Sequence, residues 1–248
     1  MSADIEADIE AGTGTGTGTE APTVVLAHGA WADGSSWREV IAALEAAGVR
    51  TIAAQLPLTS LDDDTAALNR TIGHVEGPVV LAGHAYAGAV IGSADATNVR
   101  ALVYVAALAP DEGETVAGIL GRIAPHPAAP PLAPDAHGQA WLPDEAFATA
   151  FAQDATTEEH AYLRAVQRPI SLEAITAPVG RPLWKDLPTW FLVAENDRMI
   201  PVENQRYMAE RMGATVSVHA VDHIPLLTAP DVVTGLLLDV VAIVRKAL

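Results

Sequence analysis

Val79-Val80-Leu81-Ala82-Gly83-His84-Ala85-Tyr86-Ala87-Gly88 decides how this chain is read. Four apolar residues suit a buried strand. Gly83 then opens a tight turn, and the small residues after it suit the start of a helix. A strand-to-helix corner of this kind, written Gly-x-Ser-x-Gly, presents a serine hydroxyl on a strained turn. Here the serine position is Ala85. A methyl group cannot attack a carbonyl. The chain therefore reads as one whose nucleophile has been replaced, by engineering or by descent, and the question becomes whether the other catalytic parts are present.

Outward from this corner the pattern repeats. Short apolar runs at Thr23–Ala27, Arg50–Ala54, Pro78–Ala82, Ala101–Ala106, Thr189–Val193 and Thr215–His219 predict strands covered on both faces, as in a parallel sheet. Helical patterns at Ser36–Ala47, Leu61–Ile72, Tyr86–Ala94, Val202–Met212 and Asp231–Ala247 lie between and after them. Strands alternating with helices predict a doubly wound α/β sheet. The alternation breaks at about Asp111–Asp186. That stretch has a proline-rich loop from Pro125 to Pro134, helical patterns at Asp144–Gln153 and Thr156–Gln167, and no clear strand. It reads as a helical cap inserted over the site.

Composition narrows the function classes. The chain has 248 residues, half of them apolar, which is enough for one large α/β domain. A formal net charge of -17 argues against nucleic acid and anionic membrane as partners and leaves a small-molecule substrate. With no cysteine, thiolate zinc sites, disulfides and a cysteine nucleophile are excluded. The histidines are scattered, and the one pair at i, i+4, His219 and His223, falls in a predicted strand and the loop after it rather than on one helix face, so no metal and no cofactor is expected. Residues 1–22, with their Gly-Thr repeat, read as a low-complexity, disordered tail ahead of a domain at 23–248. There is neither a signal-peptide pattern nor a run of ~18 apolar residues, so a cytoplasmic location is the expectation.

The chemistry-bearing residues follow strands. His28-Gly29-Ala30-Trp31, after the first strand, leaves the Ala30 N–H free to face an oxyanion. The Tyr86 N–H, at the start of a helix, is a second such donor. Asp197 lies just past a strand's carboxyl end, where open α/β sheets place ligands, with Glu195 as the competing acid. His223 follows the last strand, with His219, inside that strand, as the alternative. His28 and His84, beside the turns, suit hydrogen bonds to backbone. The order nucleophile position, acid, histidine is that of the α/β-hydrolase triad.

On these residues the chain resembles α/β-hydrolases of the plant methylesterase and hydroxynitrile lyase type and their bacterial homologues. The matching blocks are VVLAHGAWADGSSW at Val24–Trp37, VVLAGHAYAGAVI at Val79–Ile91, ALVYVAALAPDEGE at Ala101–Glu114, QRPI at Gln167–Ile170, LVAENDRMIP at Leu192–Pro201 and VDHIPLLTAP at Val221–Pro230. The resemblance implies an α/β-hydrolase fold with a six-stranded, mainly parallel sheet and a helical cap. It implies Asp197 as triad acid, His223 as triad base, and Ala30 and Tyr86 as oxyanion donors. Ala85 departs from it. Aromatic residues of the cap, Trp141, Phe147, Phe151, Tyr162 and Trp184, together with Trp31, are expected to line an apolar pocket. The expected function is that of an esterase for a small to medium apolar ester or lactone, inactivated at position 85. The alternatives are a non-hydrolytic member using the His223/Asp197 dyad for lyase, cyclase or cofactor-free oxygenase chemistry, and a non-catalytic small-molecule binder.

Overall fold

The computed structural model describes residues 21–95 and 97–248. The tail expected at 1–22 falls almost wholly outside the described residues.

Among the described residues eight strands occur in chain order: β1 Thr23–Ala27, β2 Thr51–Ala54, β3 Val79–His84, β4 Val99–Val105, β5 Gln139–Ala140, β6 Ile170–Ser171, β7 Thr189–Ala194 and β8 Thr215–His219. Six of them form one sheet in the order β2-β1-β3-β4-β7-β8, and every pairing in it is parallel. β1, β3 and β7 are buried along their whole length, which explains their unbroken apolar sequence. β8 is an edge strand and more open.

Helices cover the sheet because each carries an apolar stripe. Arg38–Ala46 packs against the C-terminal helix Pro230–Ala247, and Leu61–Ile72 packs against Ala87–Gly92. Ala87–Gly92 is buried throughout. Its small residues are needed there: a Cβ on Gly88 would lie 2.4 Å from the Leu108 carbonyl oxygen. A parallel sheet brings the carboxyl ends of β1, β3, β7 and β8 to one edge, so the loops after them converge.

The insertion between β4 and β7 differs from the sequence expectation. It does contain strands: β5 and β6 pair antiparallel as a two-residue ribbon. Two residues are too few to show a period of 2, so the pattern was invisible. The helix expected over Asp144–Gln153 is a short turn, Asp144–Ala146, that widens into a π-helical turn at Phe147–Phe151. The Ala152 N–H donates to the Phe147 carbonyl, an i to i+5 bond. The wider turn buries both Phe147 and Phe151. The helix Thr157–Val166 is as the sequence suggests, and a capping box of Thr156 and Glu159 starts it.

Candidate active site

Ala85 sits at the carboxyl end of β3 with φ of +50°. A non-glycine residue in the left-handed region costs about 1–3 kcal/mol and persists only where the surroundings impose it. They do so here. The Ala85 carbonyl accepts from the N–H groups of Gly88 and Leu108, at 3.1 and 3.0 Å. On the other side lies the turn after β1, where a Cβ on Gly29 would come within 2.9 Å of the Ala85 methyl. Trp31, next along that turn, also has a left-handed φ of 58°. Its N–H donates to the Arg168 carbonyl and its indole N–H to the Ala140 carbonyl. The Ala30 and Tyr86 amides donate to no other group among the described residues.

His223 and Asp197 meet at this corner. The His223 Nδ1 donates to Asp197 Oδ2 at 2.9 Å, and both side chains are buried. Asp197 is held by three further donors. Oδ1 accepts from the Met199 and Ile200 amides, at 2.8 and 2.9 Å, and Oδ2 also accepts from Gln205 Nε2 at 2.8 Å. A carboxylate held by four donors cannot rotate away from the imidazole. Gln205 is fixed in turn, because its Oε1 accepts from the Ala194 amide. The sequence reading missed Gln205; its only signal was a position one helical turn into Val202–Arg211. The Nδ1 bond to Asp197 leaves His223 Nε2 as the nitrogen available to a bound group.

The competing residues are engaged elsewhere. Glu195 is exposed and pairs with Arg206 at 2.7 Å. Asp222 is buried, and its oxygens accept from the Ile224 amide, the Thr228 hydroxyl and the Asp154 amide. Burial pushes its carboxyl up from the ordinary aspartate range. His219 lies in β8. The two turn histidines hold backbone, as their positions suggested. His28 Nδ1 donates to the Gly29 carbonyl, while its Nε2 accepts from the Leu56 amide. Burial lowers its pKa to about 4, so it is neutral. His84 Nε2 donates to the His223 carbonyl at 2.7 Å and so supports the loop that carries His223. Burial also holds His84 well below the usual histidine range.

A cavity of about 140 Å³ opens above these groups and includes Ala30, Trp31, Ala85, Tyr86 and His223 in its wall. The rest of the wall is aliphatic, with Leu108, Val116, Ile170, Ile175 and Met199 among its residues. No carboxylate, lysine or arginine among the described residues lines it.

The aromatic expectation needs correction here. Trp141 is 50% exposed, because it follows the β5 ribbon on its outer side. Tyr162 is 41% exposed, with its hydroxyl 3.0 Å from Ser35 Oγ on the outer surface. Trp184 is buried, but behind the cavity, where its indole N–H reaches toward the Pro110 carbonyl. Phe147 and Phe151 are also absent from the wall. Phe151 packs behind it, against His223 and Trp31, with ring centroids 5.3 and 6.3 Å away. Only Trp31 of the named aromatics lines the cavity. Among the described residues no group of three or more His, Cys, Asp or Glu side chains is placed to hold a metal ion. No helix among them is long and apolar enough to cross a membrane.

Comparison with known proteins bears on the family and the fold. Residues 24–236 match the model of the Alpha/beta hydrolase family. A carbendazim hydrolyzing esterase from Nocardioides sp. (strain SG-4G) is 34% identical over 117 residues, which are 41% of this chain and 48% of that protein. The match thus spans about half the length of that curated relative. Among solved structures, a polyneuridine aldehyde esterase mutant superposes with a TM-score of 0.76 at 21% identity, over 88% of this chain and 98% of the other. A pyrethroid hydrolase from Sphingobium faniae JZ-2 gives a TM-score of 0.76 at 22% identity, over 89% and 97%. At such identities the two structures speak for the fold.

Proposed function

The chain belongs to the alpha/beta hydrolase family, and from that premise we propose that it carries an esterase-type site for a small to medium, uncharged, apolar ester or lactone, with Ala85 in the nucleophile's place. The observation that carries this reading is the buried His223–Asp197 pair beside Ala85, under an apolar cavity. With a serine at position 85, the His223 Nε2 would take the hydroxyl proton as oxygen attacks the carbonyl. Asp197 would hold the imidazole in the required tautomer. The Ala30 and Tyr86 amides would receive the oxyanion, each worth ~3 kcal/mol. His223 would then return the proton to the departing alcohol.

With alanine there is no hydroxyl to acylate. In a serine protease, loss of the nucleophile costs about 10⁶ in turnover. On that scale this chain binds its ester and fails to turn it over. The test is Ala85→Ser, assayed on simple aryl esters. A gain of several orders of magnitude is expected, and no gain would sink the reading.

A second reading rests on the same dyad. His223 and Asp197 form an intact general base without a serine, which suits proton abstraction in lyase, cyclase or cofactor-free oxygenase chemistry. It would be favoured by an Ala85→Ser protein that gains no esterase activity while His223→Ala abolishes another activity of the unaltered chain. If the chain binds apolar esters and no variant of the dyad alters any turnover, a non-catalytic binder is the better description.

A further inference from the structure

The mechanism leaves one buried carboxylate unused. Asp64, in the helix Leu61–Ile72, has no exposed surface. Burying a carboxylate is costly unless its oxygens are hydrogen-bonded. Both are. Oδ2 accepts from the Tyr86 hydroxyl at 2.7 Å, and Oδ1 from the Leu58 amide at 2.6 Å.

Each of these partners leads to the cavity. Tyr86 follows the nucleophile position directly. Tyr86 is part of the cavity wall, and its amide, like that of Ala30, has no acceptor among the described residues. Leu58 is held at a left-handed φ of 61°. Its carbonyl accepts from the Ser171 amide at 2.9 Å, in strand β6 of the cap ribbon. The neighbours of Ser171, Ile170 and Leu172, line the cavity from above. A single carboxylate thus joins the corner below the cavity to the ribbon above it.

A neutral acceptor would satisfy a buried tyrosine hydroxyl. The two-oxygen geometry of a carboxylate is what lets one side chain hold a side-chain donor and a backbone donor from different elements. Burial pushes the Asp64 carboxyl up to about 6, against the pull of both hydrogen bonds. The charge is therefore held at a cost.

We propose that Asp64 is a positioning residue, which fixes Tyr86 against the cap ribbon through Leu58 and so sets the elbow amide relative to the cavity roof. The kinetic part of this proposal rests on the esterase reading; the structural part does not. Hydrogen exchange on the unaltered chain and on Asp64→Asn tests the structural part. Asn keeps one acceptor oxygen and puts an N–H2 donor in place of the other, so it cannot accept from both donors at the two carboxylate positions. Exchange at the Leu58 and Ser171 amides should accelerate about tenfold, while the amides of β1 keep their rates. Unchanged exchange at Ser171, or equal acceleration throughout the sheet, would overturn the proposal. Should Asp64→Asn fail to fold, Tyr86→Phe removes one of the two bonds and is read at the same amides.

In the Ala85→Ser background, Asp64→Asn and Tyr86→Phe should each lower kcat about tenfold with KM within twofold. The double variant should be no worse than the poorer single, because the two act as one unit. An active Ala85→Ser protein whose kcat ignores both substitutions would overturn the kinetic part. An inactive one would count against the esterase reading alone, and the exchange rates would still decide the role of Asp64.

Discussion

The floor and the roof of the cavity are built by different physics. The floor is made of the corners after β1, β3, β7 and β8. Its parts are backbone amides, a four-donor carboxylate, a buried imidazole and two left-handed residues, Trp31 and Ala85. Directional hydrogen bonds hold the carboxylate, the imidazole and the backbone of the left-handed residues in place. The roof is made of aliphatic side chains on the short elements of the insertion, such as Ile170, Leu172 and Ile175. Backbone bonds such as that from the Ser171 amide to the Leu58 carbonyl tie its ribbon down, but its lining side chains are held by dispersion and burial, and neither has strong direction. The floor is thus suited to fix where charge develops, and the roof to decide which shapes enter.

The segment Phe147–Asp154 belongs to the insertion but behaves as floor. Gln153 donates to the Asn196 carbonyl, Arg198 to the Thr149 carbonyl, and the Asp154 amide to Asp222. It is tied by polar contacts to both the acid loop and the histidine loop. Polar contact with the loops of Asp197 and His223, rather than position in the chain, marks off the floor.

Breaking the floor should have the larger effects. In the Ala85→Ser background, Asp197→Asn is expected to cut kcat by about 10⁴, because it favours the wrong imidazole tautomer. Glu195→Gln should leave kcat unchanged, since Glu195 only pairs with Arg206 on the surface. If steady-state assays showed the reverse, the assignment of the acid would fall. Gly88→Ala should destabilise the fold by about 1–3 kcal/mol, because its methyl would meet the Leu108 carbonyl, a backbone atom that cannot step aside. Urea unfolding that gave the same midpoint as the parent would show that the elbow is looser than described.

The neutral histidines beneath the floor give it a pH dependence. The folded pKa of His28 is about 4 and that of His84 is also lowered, both by burial. As pH falls below the ordinary histidine value, the unfolded chain takes up these protons first. Stability from the two groups is therefore complete above about pH 6.5; that from His28 is lost toward pH 4, at ~1.4 kcal/mol per pH unit per proton, and that from His84 is lost in the same direction. Asp64 works against this trend, since its folded pKa of about 6 lies above the unfolded one and its contribution grows as pH falls. Unfolding midpoints measured from pH 7 to 5 should decline in the parent. The decline should be shallower in His28→Gln, and an equal slope would contradict the buried neutral state.

Breaking the roof should have smaller and different effects. Ile175→Ala enlarges the cavity wall and should raise KM of the Ala85→Ser protein up to about tenfold, with kcat within twofold. Trp141→Ala should alter neither constant, and stability by no more than about 0.5 kcal/mol, since Trp141 stands half in solvent. A large KM effect at Trp141 together with none at Ile175 would invert the description of the roof.

The sequence by itself determined the sheet and the corners. Thr23–Ala27 and Thr215–His219 are strands over the very residues expected, and Leu61–Ile72 is a helix over its whole expected span. The first strand was legible because burial on both faces gives an unbroken apolar run, and the helix because burial on one face gives a period; Thr215–His219 is an open edge strand and was legible from its β-branched residues alone. The pairing of His223 with Asp197 was legible only as an order along the chain and a likeness of motifs; the distance of 2.9 Å belongs to the fold. Tertiary structure alone decided the rest. Gln205 on Asp197, His84 on the His223 carbonyl and Asp64 on Tyr86 join residues 8, 139 and 22 positions apart. None of these contacts leaves a period or a motif. The roof was misread for a related reason. Aromatic side chains such as Trp141, Tyr162 and Trp184 announce burial or amphipathic surface, but not which side of a two-residue ribbon or short turn they occupy. That side is set by how the insertion lies on the sheet, and only the folded chain fixes it.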